Sequence, residues 1–474
     1  MGAQAGKPLE AGVEIDGFLV GERLHRGGMA TIWDVRHPDI AAPLVLKAPL
    51  MSEGQDPAAI VSFEMEMMIL PRLSGAHVPR VHAVGDFMRQ PYIVMERIAG
   101  QSLYPRIESL PLPIEDVIAI GSATAYALED IHRQDVVHLD IKPSNIMIRP
   151  NGTAVLIDFG LARHADLPDL IAEEFRLPYG TAPYISPEQT FGVRGYRRSD
   201  IFALGVLLYF FATGERPFGD PQSLKGLQRR WWDDPCPPRQ RRPDLPPWLQ
   251  EVILRCIEPD PERRYPSAAH LAFDLRHPRQ VLLTERAHKL KRDSWFVRRS
   301  RRDERARLAL HSKSLATSKR ASAPIVAAAV ALNQNAPALD SALRQALVRV
   351  LDAYPDARLA CLNVLRQSAL KADDTLDEAG RNKHAHRLAE LAHWAEPLDL
   401  PPERITFHVL EAMNPAEALL DYARMNHVDH IVMGARAESL GRRLLGSVSA
   451  EVAAHAPCTV TVVRPRGLAA DDTG

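Results

Sequence analysis

Two short strings in this chain have the residue types that moving a phosphoryl group requires. They are HLDIKPSN at His138 to Asn145 and IDFG at Ile157 to Gly160. Such a transfer asks little covalent chemistry of a protein. It needs an oriented hydroxyl, in-line geometry and cations on the phosphate oxygens. Asp140 offers a carboxylate to accept the hydroxyl proton, and Lys142 a cation to neutralise the moving group. Asn145 and Asp158 supply hard oxygen ligands of the kind magnesium prefers. The neighbouring apolar runs VVHLD and AVLID read as strands that hold both loops rigidly.

The rest of the chain has to position these groups. Its 474 residues, at about 150 per domain, suggest two or three units. With 58 basic and 59 acidic side chains the net charge is −1, so no global pull toward nucleic acid or anionic lipid is expected. An apolar fraction of 46% with 25% charged residues excludes wholesale disorder. Cys236, Cys256, Cys361 and Cys458 stand far apart without a CxxC pair, against a disulfide scaffold or a thiolate zinc site. The 18 histidines show no metal-binding spacing. The first residues hold no apolar run fit for a secretory signal, and the apolar stretch Ala323 to Leu332 is about half of what a bilayer needs. A cytoplasmic chain with no membrane span and no nucleic-acid partner is expected.

Composition divides the chain into three parts. Residues 14–277 mix strand-like and helical segments and hold most of the chemistry. From Arg286 to Arg320 thirteen Lys or Arg face three acids, which reads as a solvated linker. Beyond Ala323 the runs PIVAAAVAL, ARLACLNVL, RITFHVL, DHIVMGA and CTVTVVRP alternate with helix-length segments, the pattern of a parallel sheet with helices on both faces.

On the strength of HLDIKPSN and IDFG, residues 14–277 resemble a bacterial-type Ser/Thr protein kinase. Other landmarks follow in order. LVLK at Leu44 to Lys47 implies that Lys47 holds the α- and β-phosphates of ATP. In SFEMEMMILPRL, counting back from the Leu73 end of the helix selects Glu66 as the implied ion-pair partner of Lys47, with Glu64 as the alternative on another helix face. PYIVMERIAG resembles the hinge, with Met95 as gatekeeper and the backbone of Glu96 and Ile98 facing adenine. The nucleotide site so implied comprises Leu24, Gly27, Gly28, Ile32, Val45, Lys47, Glu66, Met95, Glu96 and Ile98. Asp140 and Lys142 are the implied catalytic pair, and Asn145 and Asp158 the implied Mg2+ ligands. Asp200, Glu188 and Arg264 match positions that hold architecture.

Three departures from the family pattern stand out. In LHRGGMATIW the outer two glycines of GxGxxG are His25 and Ala30, and only Gly27, backed by Gly28, remains. The arginine that family members place before the catalytic Asp, where it reads a phosphate on the activation segment, is Leu139. That segment, Asp158 to Glu188, has no Ser or Thr before Thr181, so activity without activation-segment phosphorylation is expected. Glu173 and Glu174 would act, if at all, as fixed negative charge. Ser186 replaces the Ala of the APE motif.

The segment HIVMGARAESLGRRLLGSVSAEVAAHAPCTVTVVRP makes residues 323–466 resemble the universal stress protein family. Members that bind ATP use G-x2-G-x9-G-S, with backbone amides at a helix N-terminus taking the phosphates. Here Gly434 stands, Ala437 replaces the second glycine, and Gly446-Ser447 comes one residue early. In relatives the last strand pairs across a two-fold axis, and Cys458 to Pro465 is β-rich enough to do so.

The expectation is therefore a multidomain chain: residues 1–13 flexible, a bilobal (α+β) kinase fold over 14–277, and a basic linker over 278–322. An α/β doubly wound parallel-sheet stress-protein domain follows over 323–466, then a tail, 467–474. The implied activity is ATP- and Mg2+-dependent phosphorylation of protein Ser and Thr hydroxyls, with a regulatory or homodimerising C-terminal domain. The alternative is a scaffold that binds nucleotide without turnover.

Overall fold

A computed structural model of the chain describes residues 9–51, 57–87, 89–175, 178–293, 324–332, 336–367, 376–377, 382–435 and 446–464. Residues 294–322 of the expected linker, Ala437, the tail 467–474 and residues 1–8 lie outside the described residues.

The upper lobe is an antiparallel sheet in the order β1 (Glu14–Ile15), β2 (Phe18–Arg26), β3 (Ala30–His37), β4 (Ile40–Pro49), β6 (Ile93–Glu96), β5 (Val81–Val84). Its strands alternate faces. Trp33, Val35, Leu44, Leu46 and Ala48 join Phe18, Val20, Tyr92 and Val94 in a small core on one side. Ile32, Val45 and Lys47, one residue out of step, lie on the opposite face. Cross-strand pairing then places Ile32 opposite Lys47, Lys47 opposite Ile93, and Val45 opposite Met95. Helix α1 (Pro57–Ile69) opens on a proline, whose missing N–H costs nothing in a first turn.

The lower lobe is built around helices. In α2 (Ile114–Arg133) Val117, Ile120, Leu128 and Ile131 form a buried stripe, and Glu115 and Asp116 meet the positive end of the helix. Two-residue strands β7 (Gln101–Ser102) and β8 (Val136–Val137), with β9 (Ile146–Ile148), β10 (Ala154–Leu156) and β11 (Arg163–His164), form the small sheets that flank the expected catalytic loops. A short helix α3 (Leu170–Glu174) follows, capped by the Asp169 carboxylate, which accepts from Ala172 N. Helix α4 (Arg198–Thr213) is apolar nearly all round and buried from Ser199 to Ala212, as a central core helix must be. It stops at Gly214, whose φ of +77° is the left-handed C-cap. Helix α5 (Pro247–Cys256) packs against it, and α6 (Ala268–Arg276) packs on α2. Residues 278–293, the first part of the expected linker, lie against this lobe: Arg286 pairs with Glu251 at 2.9 Å and Glu258 at 2.8 Å, and Ala287 is buried.

The C-terminal unit is a parallel five-stranded sheet, ordered β14 (Ile405–Ala412), β13 (Arg358–Arg366), β12 (Ile325–Ala329), β15 (His430–Gly434), β16 (Thr459–Val463). β12 is buried on both sides, which explains its unbroken apolar run. Helices α7 (Pro337–Ala353) and α8 (Lys383–Ala395) cover one face through Leu343, Leu347, Leu388 and Trp394. Helices α9 (Pro415–Asn426) and α10 (Ser447–His455) cover the other through Leu419, Leu420 and Val452. This is the expected doubly wound arrangement, and β14 and β16 are its edges.

In the lower lobe, Arg264 meets Glu188 through two hydrogen bonds of 2.6 and 2.8 Å, both side chains being almost wholly buried. Ser199 Oγ donates a third bond to Glu188 at 2.6 Å. Truncating Arg264 would strand a buried carboxylate, which typically costs about 3–5 kcal/mol. Arg264→Ala is expected to lose that much in urea unfolding of the lower lobe, and a change under about 1 kcal/mol would contradict this account.

Candidate functional site

The cleft between the lobes gathers the residues that the sequence singled out. From the roof, Lys47 Nζ reaches Glu66 Oε2 at 2.5 Å and Asp158 Oδ1 at 2.9 Å. Glu66, not Glu64, is thus the partner on α1. Burial works against the Lys47 ammonium, but Asp158 and Glu66 outweigh it and hold the lysine charged above its ordinary value. The same ammonium draws Asp158 below the usual carboxylate range, with Lys142 and His138 adding to the pull.

The floor is the loop after β8. Lys142 Nζ stands 2.7 Å from Asp140 Oδ2, and Asn145 Nδ2 donates to the same oxygen and to the Asp140 carbonyl, each at 3.0 Å. Thr181 closes the other side, its hydroxyl and amide donating to Asp140 Oδ1 at 2.8 and 3.1 Å. Asp140 is therefore held by three side chains, two from its own loop and one from the segment around Thr181.

What fixes the loop itself is Asp200, at the start of α4. Its carboxylate accepts from the amides of His138 (2.9 Å) and Leu139 (2.8 Å) and pairs with His132 Nε2 at 2.8 Å. Leu139 needs that hold, because its φ of +64° is a genuine outlier for a bulky side chain. Asp158 is also left-handed, at +68°. Each such conformation costs about 1–3 kcal/mol and persists only where neighbours over-determine it. Gly160, two residues after Asp158, is required by close packing: a Cβ there would stand 2.1 Å from Ser62 Oγ on α1. The IDFG loop and α1 are thus in direct contact.

Around the expected nucleotide position, Leu24, Ile32 and Val45 are partly buried and Met95 is buried. The Glu96 carboxylate is engaged by Arg149 at 2.7 Å, and its amide donates to Arg80 O at 2.8 Å. Ile98 follows on the half-buried hinge. At the β2–β3 turn, Gly27 N donates to Ala30 O at 2.9 Å, with the exposed His25 ring beside it. Neither Gly27 nor Gly28 has a positive φ, and a Cβ on Gly28 would meet nothing within 4 Å. The fold does not demand a glycine at 28.

The donor set suits magnesium. Asp158 and Asn145 offer hard oxygens, and 44% of the Asp158 side-chain surface stays exposed toward the cleft. Together these groups provide two cations for phosphate oxygens, two ligands for a divalent ion and a carboxylate for a hydroxyl proton.

Sequence reasoning missed a second polar cluster. Glu173 and Glu174 on α3 are engaged by Arg358, His408, Tyr422 and Asn426 of the C-terminal unit. The partners lie 185 to 253 positions away, and the lack of Ser and Thr around them was the only local sign that this segment is unusual.

Residues 298–464 match the family described as universal stress protein family. Among curated proteins, "Serine/threonine-protein kinase PknB" of Mycolicibacterium smegmatis is 34% identical over 270 residues, covering 55% of this chain and 42% of that protein. "Probable serine/threonine-protein kinase CA_C1728" of Clostridium acetobutylicum is 29% identical over 259 residues, covering 54% and 39%. The match thus spans less than half the length of these relatives. The crystal structure of the Mycobacterium tuberculosis PknI kinase domain is 25% identical with a TM-score of 0.44, covering 57% of this chain and 99% of that one. The model described as protein kinase domain matches residues 18–275, more than half of the chain, and the chain belongs to that family.

Proposed function

We propose that this chain is an ATP-dependent protein kinase that phosphorylates Ser and Thr hydroxyls. The observation that carries the reading is the Asp140 carboxylate, fixed by Lys142, Asn145 and Thr181 beneath a Lys47–Glu66 pair that also reaches Asp158.

In this reading Asp140 orients the incoming hydroxyl and accepts its proton, and Lys142 stabilises charge on the transferred group. Lys47 holds the α- and β-phosphates, and the backbone of Gly27 and Gly28 lies over them. Asp158 and Asn145 would hold magnesium, which when bound neutralises charge on the phosphate oxygens. Ser and Thr are favoured over Tyr as acceptors because Lys142 sits two residues after Asp140, as in Ser/Thr members of the family. The names of the similar curated proteins support the same acceptor class.

The C-terminal domain is read as the regulatory part of a stress-responsive kinase in the cytoplasm, and β16 as a sheet edge able to pair with a second copy. Among the described residues no helix is long and apolar enough to cross a membrane.

The test is transfer of the ATP γ-phosphate, in magnesium, to a mixed Ser/Thr peptide library. Asp140→Asn is expected to lower kcat by about 10²-fold or more, with nucleotide still bound. Equal rates in both proteins would contradict the reading, and binding without turnover in either would favour the scaffold. Gly28→Ala is expected to raise the KM for ATP several-fold while the melting temperature stays unchanged. A lower melting temperature with unchanged KM would show a purely structural glycine.

A further inference from the structure

The activation segment is joined to the C-terminal domain by buried charge. Glu173 Oε1 accepts from Arg358 Nη2 at 2.7 Å, and Glu173 Oε2 from Arg358 Nη1 at 3.2 Å and Tyr422 Oη at 3.1 Å. His408, fully buried, stands with Nε2 3.1 Å from Glu173 Oε2 and Nδ1 2.8 Å from Glu174 Oε1. Thr406 Oγ1 accepts from Arg358 and contacts His408, tying the two cations together. Asn426 Nδ2 donates to the Glu173 carbonyl at 3.2 Å. One five-residue helix is thus gripped by β13, β14 and α9.

The same domain also holds α1. Ile60 is 1% exposed and belongs to the apolar cluster of Val326, Leu359 and Val409 rather than to the lobe's own core. Just past the far end of α1, Arg72 pairs with Glu403 at 2.6 Å. Between these points the Glu64 carboxylate lies in the field of Glu174 and His408, with a buried oxygen that has no hydrogen-bond partner. One face of α1 therefore belongs to the C-terminal domain while another presents Glu66 to Lys47.

We infer that Arg358 and His408 are positioning residues for phosphoryl transfer: by gripping Glu173 and Glu174 they fix the activation segment and α1, and with them the Lys47–Glu66 pair. The inference rests on the kinase reading above. It gives Glu173 and Glu174 a role beyond fixed charge. They are the anchor by which the C-terminal domain reaches the site, where a phosphate reader has been replaced by Leu139.

The charges titrate in one direction. Burial opposes the His408 imidazolium, but Glu173 and Glu174 push it up to about 9 from 6.5. Its contribution is full below pH 6.5 and lost as pH rises through 9. Burial, then Glu174, raises Glu64 from 4.5 to about 8, with His408 opposing; ionising it adds a penalty absent below 4.5 and complete near 8. Burial opposes ionisation of Glu173, but Arg358 and His408 draw it down from 4.5 to about 2, so its contribution is complete above 4.5. Tyr422, the other titratable group facing His408, is raised well above its ordinary value and stays neutral. The contact should therefore be strongest near pH 5–6.5 and weaken toward pH 9.

The test uses the full chain with Arg358→Ala, Arg358→Lys, His408→Gln and Glu173→Gln, the last being the milder variant should loss of Arg358 impair folding. Hydrogen exchange over 57–69 and 170–174 is read beside transfer to the peptide library. Expected are faster exchange in both segments and a kcat lowered about ten-fold or more, the scale of inter-site coupling, with KM for ATP within two-fold. Arg358→Lys should recover part of the rate, and His408→Gln should flatten the fall in rate toward pH 9. Unchanged exchange and kcat in the variants would overturn the inference. An inactive wild-type chain would overturn the kinase reading and the catalytic half of this inference, while exchange alone would still decide the contact.

Discussion

One ammonium group joins the two lobes of the N-terminal unit. Lys47 is shared by Glu66 on α1 and Asp158 in the lower loop, so a strand, a helix and a loop meet at a single charge. With Lys47 removed, two carboxylates would face each other in the cleft. Every other feature of the site serves to keep that shared contact and the Asp140 group in register. Asp200 pins the catalytic loop from below, and the strain at Leu139 and Asp158 is held by bonds to more rigid parts.

The C-terminal domain enters this arrangement through α1 and the activation segment, which are also in mutual contact. Glu173 and Glu174 carry the acidic side, and Arg358 and His408 the basic side, of a buried inter-domain pair. Buried pairs of this kind give geometry more reliably than stability, since desolvation offsets much of their attraction. Here geometry is what the cleft needs. A segment lacking Ser and Thr before Thr181 has no serine or threonine hydroxyl there for a phosphate, and its Glu173 and Glu174 are paired with Arg358 and His408 of the neighbouring domain.

Much of this was legible in the sequence because the chemistry is local. HLDIKPSN fixes three site residues within eight positions. The choice of Glu66 over Glu64 rested on counting helix positions, and the structure gives each a separate partner environment. The inner strands β12, β13 and β15 were readable for the same reason: largely buried, they are short apolar runs between helices. What could not be read was long-range polar pairing. Arg358 and His408 sit in strands whose pattern explains their neighbours but not themselves, and their partners are set by how two units dock. The packing of 278–293 on the lower lobe was hidden likewise, because a run rich in Lys and Arg looks solvated until Glu251 and Glu258 are seen opposite it.

The central claim is that this chain assembles its phosphoryl-transfer site with its own side chains and needs no phosphate on the activation segment. The most direct measurement is a pre-steady-state progress curve for phosphatase-treated full-length protein, with ATP and magnesium, alongside intact-mass analysis. The account predicts product formation at full rate from the first turnover, with residues 158–188 unmodified. A lag that disappears after autophosphorylation within that segment would contradict it.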